Sequence, residues 1–470
     1  MALSHAEQYL LELINRARLD PASEALRFGV ELNDSLASGT ISEDAKEVLA
    51  PNVYLESAAN NHSLWMLDND TFTHDGSGGS SPGDRMASAG YNFSGSWTWR
   101  ENLAWAGTTG TVDLEAAVLD HHEGLYRSAG HRENTFAEDI REIGVGQVAG
   151  VFNSDGTNFN ASMLALNYAQ STDQIFLTGV NYADQDNDAF YSMGEGTSGL
   201  WFEIDGGRAY AASAGGYGLG TTADSNALVT VGTRANTLAT LRVDLGDGNA
   251  KLDVVTESDG DVVLAVSKNT TLVSGIADAY LLGDADLVLT GNGLANELTG
   301  NTGDNTLYGL GGNDVLAGAE GTDDLFGGDG NDYLTGGGGR DVSWGALLTA
   351  STGAQGADML SGGDGRDTLM GLSGNDTLDG GNGDDVMTGG GGRDTFIFND
   401  GDDRITDFGA YVDTLQLEVA SLGDAGMSVA DVLALGQIVG GDAVFDFGDD
   451  ILTLDGITDI NLLATSLIIV

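Results

Sequence analysis

No cysteine occurs among the 470 residues, so neither disulfides nor thiolate metal sites can brace the fold; cross-bracing has to come from packing or from bound ions. Basic residues are scarce, with 18 Lys and Arg against 72 Asp and Glu and a formal charge of -54. Such a surface repels phosphate backbones and anionic lipid heads, which excludes nucleic acid as an expected partner. No window reaches the ~18 consecutive apolar residues of a membrane span, so no transmembrane segment is expected. The opening MALSHAEQYLLELINRAR interleaves charged with apolar residues, and no cleavable secretion signal is expected at this end. What remains in abundance is glycine, 72 residues of it, together with acid and a 41% hydrophobic content that suffices for a core in each of about three domains. An acidic, glycine-rich chain resists compaction until cations neutralise it, and calcium fits that need better than a basic protein does.

Texture divides the chain. Residues 1–172 carry helical periodicity, as in Leu10, Leu11, Leu13, Ile14 and Ala17 and again in Tyr54, Ala58, His62, Trp65 and Met66, and close on the strand-like runs REIGVGQVAG and SMLALNYAQ. Helices packed on a sheet are expected there. Residues 173–280 alternate with period two in GLWFEI, TLRVDL, KLDVVT and DVVLAV between glycine and aspartate turns, which predicts a β-sandwich. Residues 281–406 repeat every nine, and residues 407–470 form an apolar, strand-prone tail.

The nine-residue period places glycine at 291, 300, 309, 318, 327 and 336 and, after the interruption GALLTAST, at 353, 362, 371, 380 and 389. The sixth position is acidic from the third unit onward, at Asp314, Asp323, Asp332, Asp341, Asp358, Asp367, Asp376, Asp385, Asp394 and Asp403. The eighth is large and apolar in almost every unit, with Ser343 the break in the pattern. Glycines at positions one, two and four allow tight left-handed turns, the aspartate supplies a hard oxygen ligand, and the last three residues make a short strand with its apolar side chain inward. Two units then form one 18-residue coil of a parallel β-roll, with calcium between Asp332 and the loop around Asp314. Asn296 and Asn305 replace the aspartate in the first two units and predict a weakly liganded cap. Without calcium the carboxylates repel and the small apolar faces cannot offset the ordering entropy, so metal binding supplies the folding energy of this segment.

The unit GGDGNDYLT at 327–335 resembles the nonapeptide of RTX (hemolysin-type) proteins, and GGGGRDTFIFNDGDDRITDFGAYVDTLQL at 389–417 resembles the junction after the repeats in serralysin-type secreted proteins. The resemblance implies export by a type I secretion apparatus, an uncleaved C-terminal signal and a secreted, extracellular or cell-surface location. A second calcium loop is expected in DQDNDAFYSMGE, where Asp184, Asp186, Asp188 and Glu195 hold positions one, three, five and twelve. Ala189 stands where an EF-hand needs glycine, and the setting resembles the calcium loop of SdrD B-type adhesin modules.

In order along the first third run FTHDG, RENLAW, SAGHREN and REIGVG. That order resembles the CAP (SCP-like) superfamily, especially its disulfide-free bacterial members, over roughly residues 5–170. The resemblance implies an α-β-α sandwich with a central cleft in which two histidines and two glutamates can hold a divalent metal such as zinc. His74, Glu101 and His131 carry over by motif; the fourth place falls on Ser128, which offers no carboxylate. Glu123 or His122 could substitute only across more than a helical turn, and of the adjacent His121 and His122 one is expected at the surface. HEGLY at 122–126 is no HExxH, and neither GxSxG nor a cysteine nucleophile is present, which argues against metzincin-type proteolysis and serine hydrolysis.

The expected whole is a multidomain protein, with an α-β-α sandwich (CAP) followed by a β-sandwich and a parallel β-roll (RTX). It folds on calcium outside the cell and binds an unknown extracellular ligand through the His/Glu cleft. Two other readings remain open: a zinc-dependent extracellular hydrolase using His74, Glu101 and His131 with zinc on His74 and His131, and an adhesin or surface-layer protein.

Overall fold

The computed structural model describes residues 3–171, 174–246, 248–345, 356–418 and 426–470. The chain divides into two compact units, residues 1–268 and 269–470. The expected boundary at 172–173 and most of the interruption at 345–352 lie outside the described residues.

In the first unit, α1 (His5–Leu19) starts at a capping box between Ser4 and Glu7. Nearly all of its residues are buried, polar ones included. Asn15 bonds the backbone of Leu49 in both directions, and Arg18, fully buried, donates to the carbonyls of Glu47, Thr135 and Ala137. Helices α2 (Pro21–Phe28), α3 (Val53–Asp68), α4 (Pro82–Ala89), α5 (Leu114–Arg127) and α6 (Ala129–Thr135) follow, with Pro21 and Pro82 in first turns where no N–H is missed. They accompany a four-stranded sheet ordered β1-β3-β4-β2, from β1 (Ala50–Pro51), β2 (Thr98–Thr108), β3 (Glu142–Ser154) and β4 (Thr157–Gln170). Helix α3 lies against β3 so closely that a Cβ on Gly144 would stand 2.0 Å from the Leu55 carbonyl carbon, and one on Gly146 2.3 Å from the Asn60 nitrogen. That contact is the physical content of the REIGVG motif.

The same unit continues into β5 (Ile175–Ala183), β6 (Leu200–Ile204), β7 (Gly207–Tyr210), β8 (Gly216–Thr221), β9 (Ala227–Thr233), β10 (Thr237–Val243), β11 (Ala250–Thr256) and β12 (Val262–Val266). The period-two runs became these strands, in the neighbour orders β10-β9-β6-β7 and β12-β11-β5-β8. Lys251 on β11 reaches α1 and pairs with Glu12 at 2.9 Å and with Asp253, all three buried.

In the second unit two parallel ladders alternate along the chain. One takes Val288–Thr290, Thr306–Gly311, Asp324–Asp329, Val342–Trp344, Thr368–Met370, Val386–Thr388 and Asp402–Ile405. The other takes Asp278–Leu281, Glu297–Thr299, Val315–Gly321, Tyr333–Gly339, Met359–Gly365, Thr377–Gly383, Thr395–Phe398 and Thr414–Leu417. Within the repeats partners lie 18 residues apart, as Leu307 with Leu325; Val342 pairs with Thr368 across the interruption, and the end pairs Ala279 with Leu298 and Thr395 with Thr414 are 19 apart. The eighth-position side chains Leu307, Leu316, Leu325, Leu334, Leu369, Leu378, Met387, Phe396 and Ile405 are fully buried. Ser343 keeps the same inward place, and its hydroxyl has no partner among the described residues. The tail extends both ladders: Ile451–Leu454 pairs with Asp402–Ile405, and Leu467–Ile469 with Leu415–Leu417.

Two details differ from the sequence expectation. Gly345, rather than Gly353, takes position one of the interrupted unit: a Cβ there would meet Asp358 Oδ2 at 2.4 Å, as one on Gly336 would meet Asp341 Oδ2. The extra residues therefore fall between Gly345 and Gly356 in the sequence, outside the described residues. Left-handed backbone is confined to positions two and four, as at Gly328 and Gly330 (φ 114° and 142°), and position one is glycine for lack of space instead. At position two, Leu310, Ala319 and Leu372 carry side chains at φ 75–85°, a strained geometry for L residues.

Candidate functional site

The aspartates of the repeat form the most regular assembly in the molecule. Each uses Oδ1 to accept the backbone N–H of the sixth-position residue one coil earlier: Asp332 from Asp314 (2.8 Å), Asp341 from Asp323 (2.7 Å), Asp358 from Asp332 (2.8 Å), Asp385 from Asp367 (2.8 Å) and Asp403 from Asp385 (2.9 Å). Asp314, Asp323, Asp367, Asp376 and Asp394 take the same role toward Asn296, Asn305, Asp341, Asp358 and Asp376. Asp413, missed in the nonapeptide count because its spacing is 19, closes the row by accepting from Asp394 at 3.0 Å.

The second oxygens tell the rest. Oδ2 of Asp314, Asp323, Asp332, Asp341, Asp367, Asp376, Asp385 and Asp403 is buried with no hydrogen-bond partner among the described residues. A buried carboxylate oxygen left bare is costly, so a row of them calls for cations of matching charge. Burial pushes Asp323, Asp358 and Asp385 up to about 7 and Asp403 to about 8, with the backbone hydrogen bonds acting the other way. These hard oxygen donors, between turns rich in backbone carbonyls, suit calcium. Asn296 and Asn305 behave differently from the expected weak ligands. Their Nδ2 groups donate to the carbonyls of Ala277 and Ala285, so the first coil satisfies itself with amide hydrogens.

The loop at 184–195 brings Asp184, Asp186 and Asp188 together, with one oxygen of each within 4.8 Å of the others. Asp184 accepts from the N–H groups of Asn187 and Ala189, and Glu195 from those of Gln185 and Ser192. Ala189 adopts φ 56°, the left-handed turn that glycine serves in an EF-hand, and strands rather than helices flank the loop.

In the CAP-like segment Glu101 on β2 is buried. It receives His74 Nδ1–H at 2.8 Å and Arg85 Nη2–H at 2.5 Å. Burial raises its carboxyl against the pull of Arg85 and His74. Both oxygens are thus engaged by side chains of the chain itself. Glu101 holds the ring of His74, whose side chain is 57% exposed. His131 on α6 is partly buried, and burial followed by the nearby His74 lowers its pKa. No group of three or more metal-capable side chains that includes His74, Glu101 and His131 forms among the described residues. Arg85 carried no motif signal, since a lone arginine on a short helix reads as surface.

Neither expected substitute for Ser128 reaches this site. His122 donates to buried Glu24 at 2.7 Å, and Glu123 pairs with Arg127 on the exposed face. The surface place expected for one of the paired histidines is not found. His121 is buried as well, bonded to Ser162 Oγ at 3.0 Å, because α5 is covered on both of the faces they share.

Residues 11–159 match the family model of the cysteine-rich secretory protein family (CAP). Four stretches, 290–325, 318–347, 352–387 and 370–405, match the RTX calcium-binding nonapeptide repeat. Among solved structures, an extracellular protein containing a SCP domain from Bacillus anthracis str. Ames is similar at 24% identity and TM-score 0.20, over 26% of this chain and 34% of that one. An outer surface protein from Borrelia burgdorferi is similar at 18% identity and TM-score 0.20, over 33% of this chain and 96% of its own. The extracellular lipase LipA from Serratia marcescens follows at 19% and 0.22, over 42% of this chain and 41% of the lipase. The chain thus spans about a third of the length of the first of these. None of the curated proteins matches it. No helix among the described residues is long and apolar enough to cross a membrane. The chain carries a CAP domain at residues 11–159 and RTX calcium-binding nonapeptide repeats at residues 290–405.

Proposed function

We propose that this is a secreted, calcium-assembled binding protein: an RTX β-roll at 281–406 matures on calcium outside the cell, and the CAP segment in front binds an extracellular ligand. The observation that carries the reading is the row of buried, unpartnered aspartate oxygens from Asp314 to Asp403. The side chains that would hold calcium are the sixth-position aspartates, joined by turn carbonyls, and bound calcium would supply the positive charge that lets the ladders close up. Families with CAP and RTX segments are typically extracellular, and the repeats point to a type I secretion apparatus as the export partner. A chain that stays open where calcium is scarce and folds at ~10⁻⁴–10⁻³ M suits passage through a narrow channel. The loop of Asp184, Asp186, Asp188 and Glu195 would add one calcium site within a β-sandwich at 173–280, and residues 407–470 would carry the export signal.

The His74, Glu101 and His131 cleft is read as a polar binding site. A zinc hydrolase finds no support in a glutamate already bridged to Arg85. Far-ultraviolet circular dichroism of the full chain, with and without EGTA, tests the calcium reading together with metal analysis. Strand signal lost on chelation and several calcium ions per chain are expected; an unchanged spectrum refutes it. Zinc titration tests the cleft: tight binding abolished in a His74→Ala, His131→Ala double variant would restore the hydrolase.

A further inference from the structure

Helices α3 and α4 and the turn at 77–80 enclose a cavity of about 440 Å³, lined among others by His62 and Trp65 of α3 and by Ser80, Arg85 and Ser88. Two buried polar atoms of these residues have no hydrogen-bond partner among the described residues: His62 Nδ1 and Arg85 Nε. His62 is 1% exposed and gives its Nε2–H to the Thr73 carbonyl at 2.9 Å, which fixes the tautomer and leaves a lone pair on Nδ1. Arg85 spends Nη1 on the carbonyls of His74 and Ser80 and Nη2 on Glu101, which leaves the Nε–H. Each orphan costs about 1–3 kcal/mol, so a site that keeps both is prepared for a group that satisfies them.

The two orphans are of opposite kind, one acceptor and one donor. A hydroxyl answers both at once. An ionised carboxylate would answer Arg85 but set lone pair against lone pair at His62, and an ammonium would meet the guanidinium. Burial, with the charges of Arg85 and His74, holds the His62 imidazole down to about 4, so it remains an acceptor near neutrality. Trp65 stacks on His62 with ring centroids 5.7 Å apart and planes at 10°, giving a flat apolar wall beside the polar pair. Serine hydroxyls, the Asn61 amide, the Asp84 carboxylate and two alanines line the rest, and the carboxylate adds an acceptor that a sugar hydroxyl can meet and an anion cannot. A flat wall for C–H faces with donors and acceptors at its edge is the complement of a pyranose ring, and the volume accepts one or two such rings.

We propose that this cavity is a binding site for a neutral mono- or disaccharide, stacked on Trp65 with one hydroxyl shared between His62 Nδ1 and Arg85 Nε. It goes beyond the calcium reading, and although it shares Arg85 with the His74 and Glu101 pair, it requires no ligand at that cleft.

The test is isothermal titration of the calcium-loaded full chain with cellobiose, maltose and N,N′-diacetylchitobiose, and with gluconate as an anionic control. At least one neutral disaccharide should bind saturably. Trp65→Ala should weaken it by about tenfold or more. Ser88→Trp, which fills the mouth from an exposed position, should do the same with circular dichroism and calcium content unchanged. Glu123→Gln, on the exposed face of α5, should leave it within about twofold. The proposal is overturned if none of the three sugars saturates, as expected when a single ordered water fills the gap. It is also overturned if gluconate binds more tightly than they do, or if both cavity variants bind like the unaltered chain.

Discussion

Glu12 and Glu24 in the first unit lie buried against cations of the chain itself. Glu12 pairs with Lys251, and Glu24 takes hydrogen bonds from His122 and Arg16 that outweigh its burial and hold its carboxyl at about 2. Asp323 and Asp385 in the second unit are as deeply buried, yet each has one oxygen on a backbone N–H and the other without a partner among the described residues. One unit neutralises its interior with residues it encodes; the other leaves that task to a solute. On the calcium reading proposed above, the first kind of unit is expected to fold without an added ion and the second to wait for one.

Calcium removal should break the comparison most visibly. With EGTA, residues 269–470 are expected to lose their strands and become open to protease while residues 1–268 resist, read by limited proteolysis and mass mapping; equal sensitivity of the two units would erase the distinction. The mirror experiment is Lys251→Met, which leaves Glu12 and Asp253 buried without a cation. A loss of about 3–5 kcal/mol is expected in the first unit, with the calcium midpoint of the second unmoved.

Acid should sharpen the contrast next. Burial lowers His121 from 6.5 to about 4, so between those values the unfolded chain takes up a proton that the folded unit refuses. Its contribution is whole above pH 6.5 and fades as pH falls toward 4. Replacing it by glutamine should flatten the acid slope of first-unit stability by on the order of 1–3 kcal/mol. Glu56, pushed up to about 7 by burial, acts with the opposite sign, so the variant and not the total slope is diagnostic. In the second unit, Asp385→Asn should lower calcium stoichiometry and raise the calcium midpoint by roughly tenfold, about 1.4 kcal/mol. Smallest of all, Leu372→Gly should relieve the left-handed strain at φ 75° and raise second-unit stability by about 1 kcal/mol.

Much of the second unit was legible because its physics is periodic. A fixed spacing of glycine, aspartate and leucine states which residues share a column before any coordinates are known. The same periodicity hid its irregularities. Asp413 sits one residue off the count, and Gly345 takes the place assigned to Gly353, with the ladder resuming its register at Thr368. In the first unit the motifs located His74 and Glu101 but not Arg85, whose meaning comes entirely from what lies opposite it in space. Burial of both His121 and His122 was hidden for a related reason. Neighbours about 100° apart on a helix can both be interior only when the helix is covered on two sides, and periodicity in α5 alone does not report its neighbours.

The pairing of Val342 with Thr368 has a practical reading. A parallel ladder keeps register by strand and not by residue, so Val342 still meets Thr368 although eight additional residues intervene. The array therefore has a splice point at which peptides of varied length could be displayed from a calcium-set scaffold without disturbing the rungs on either side.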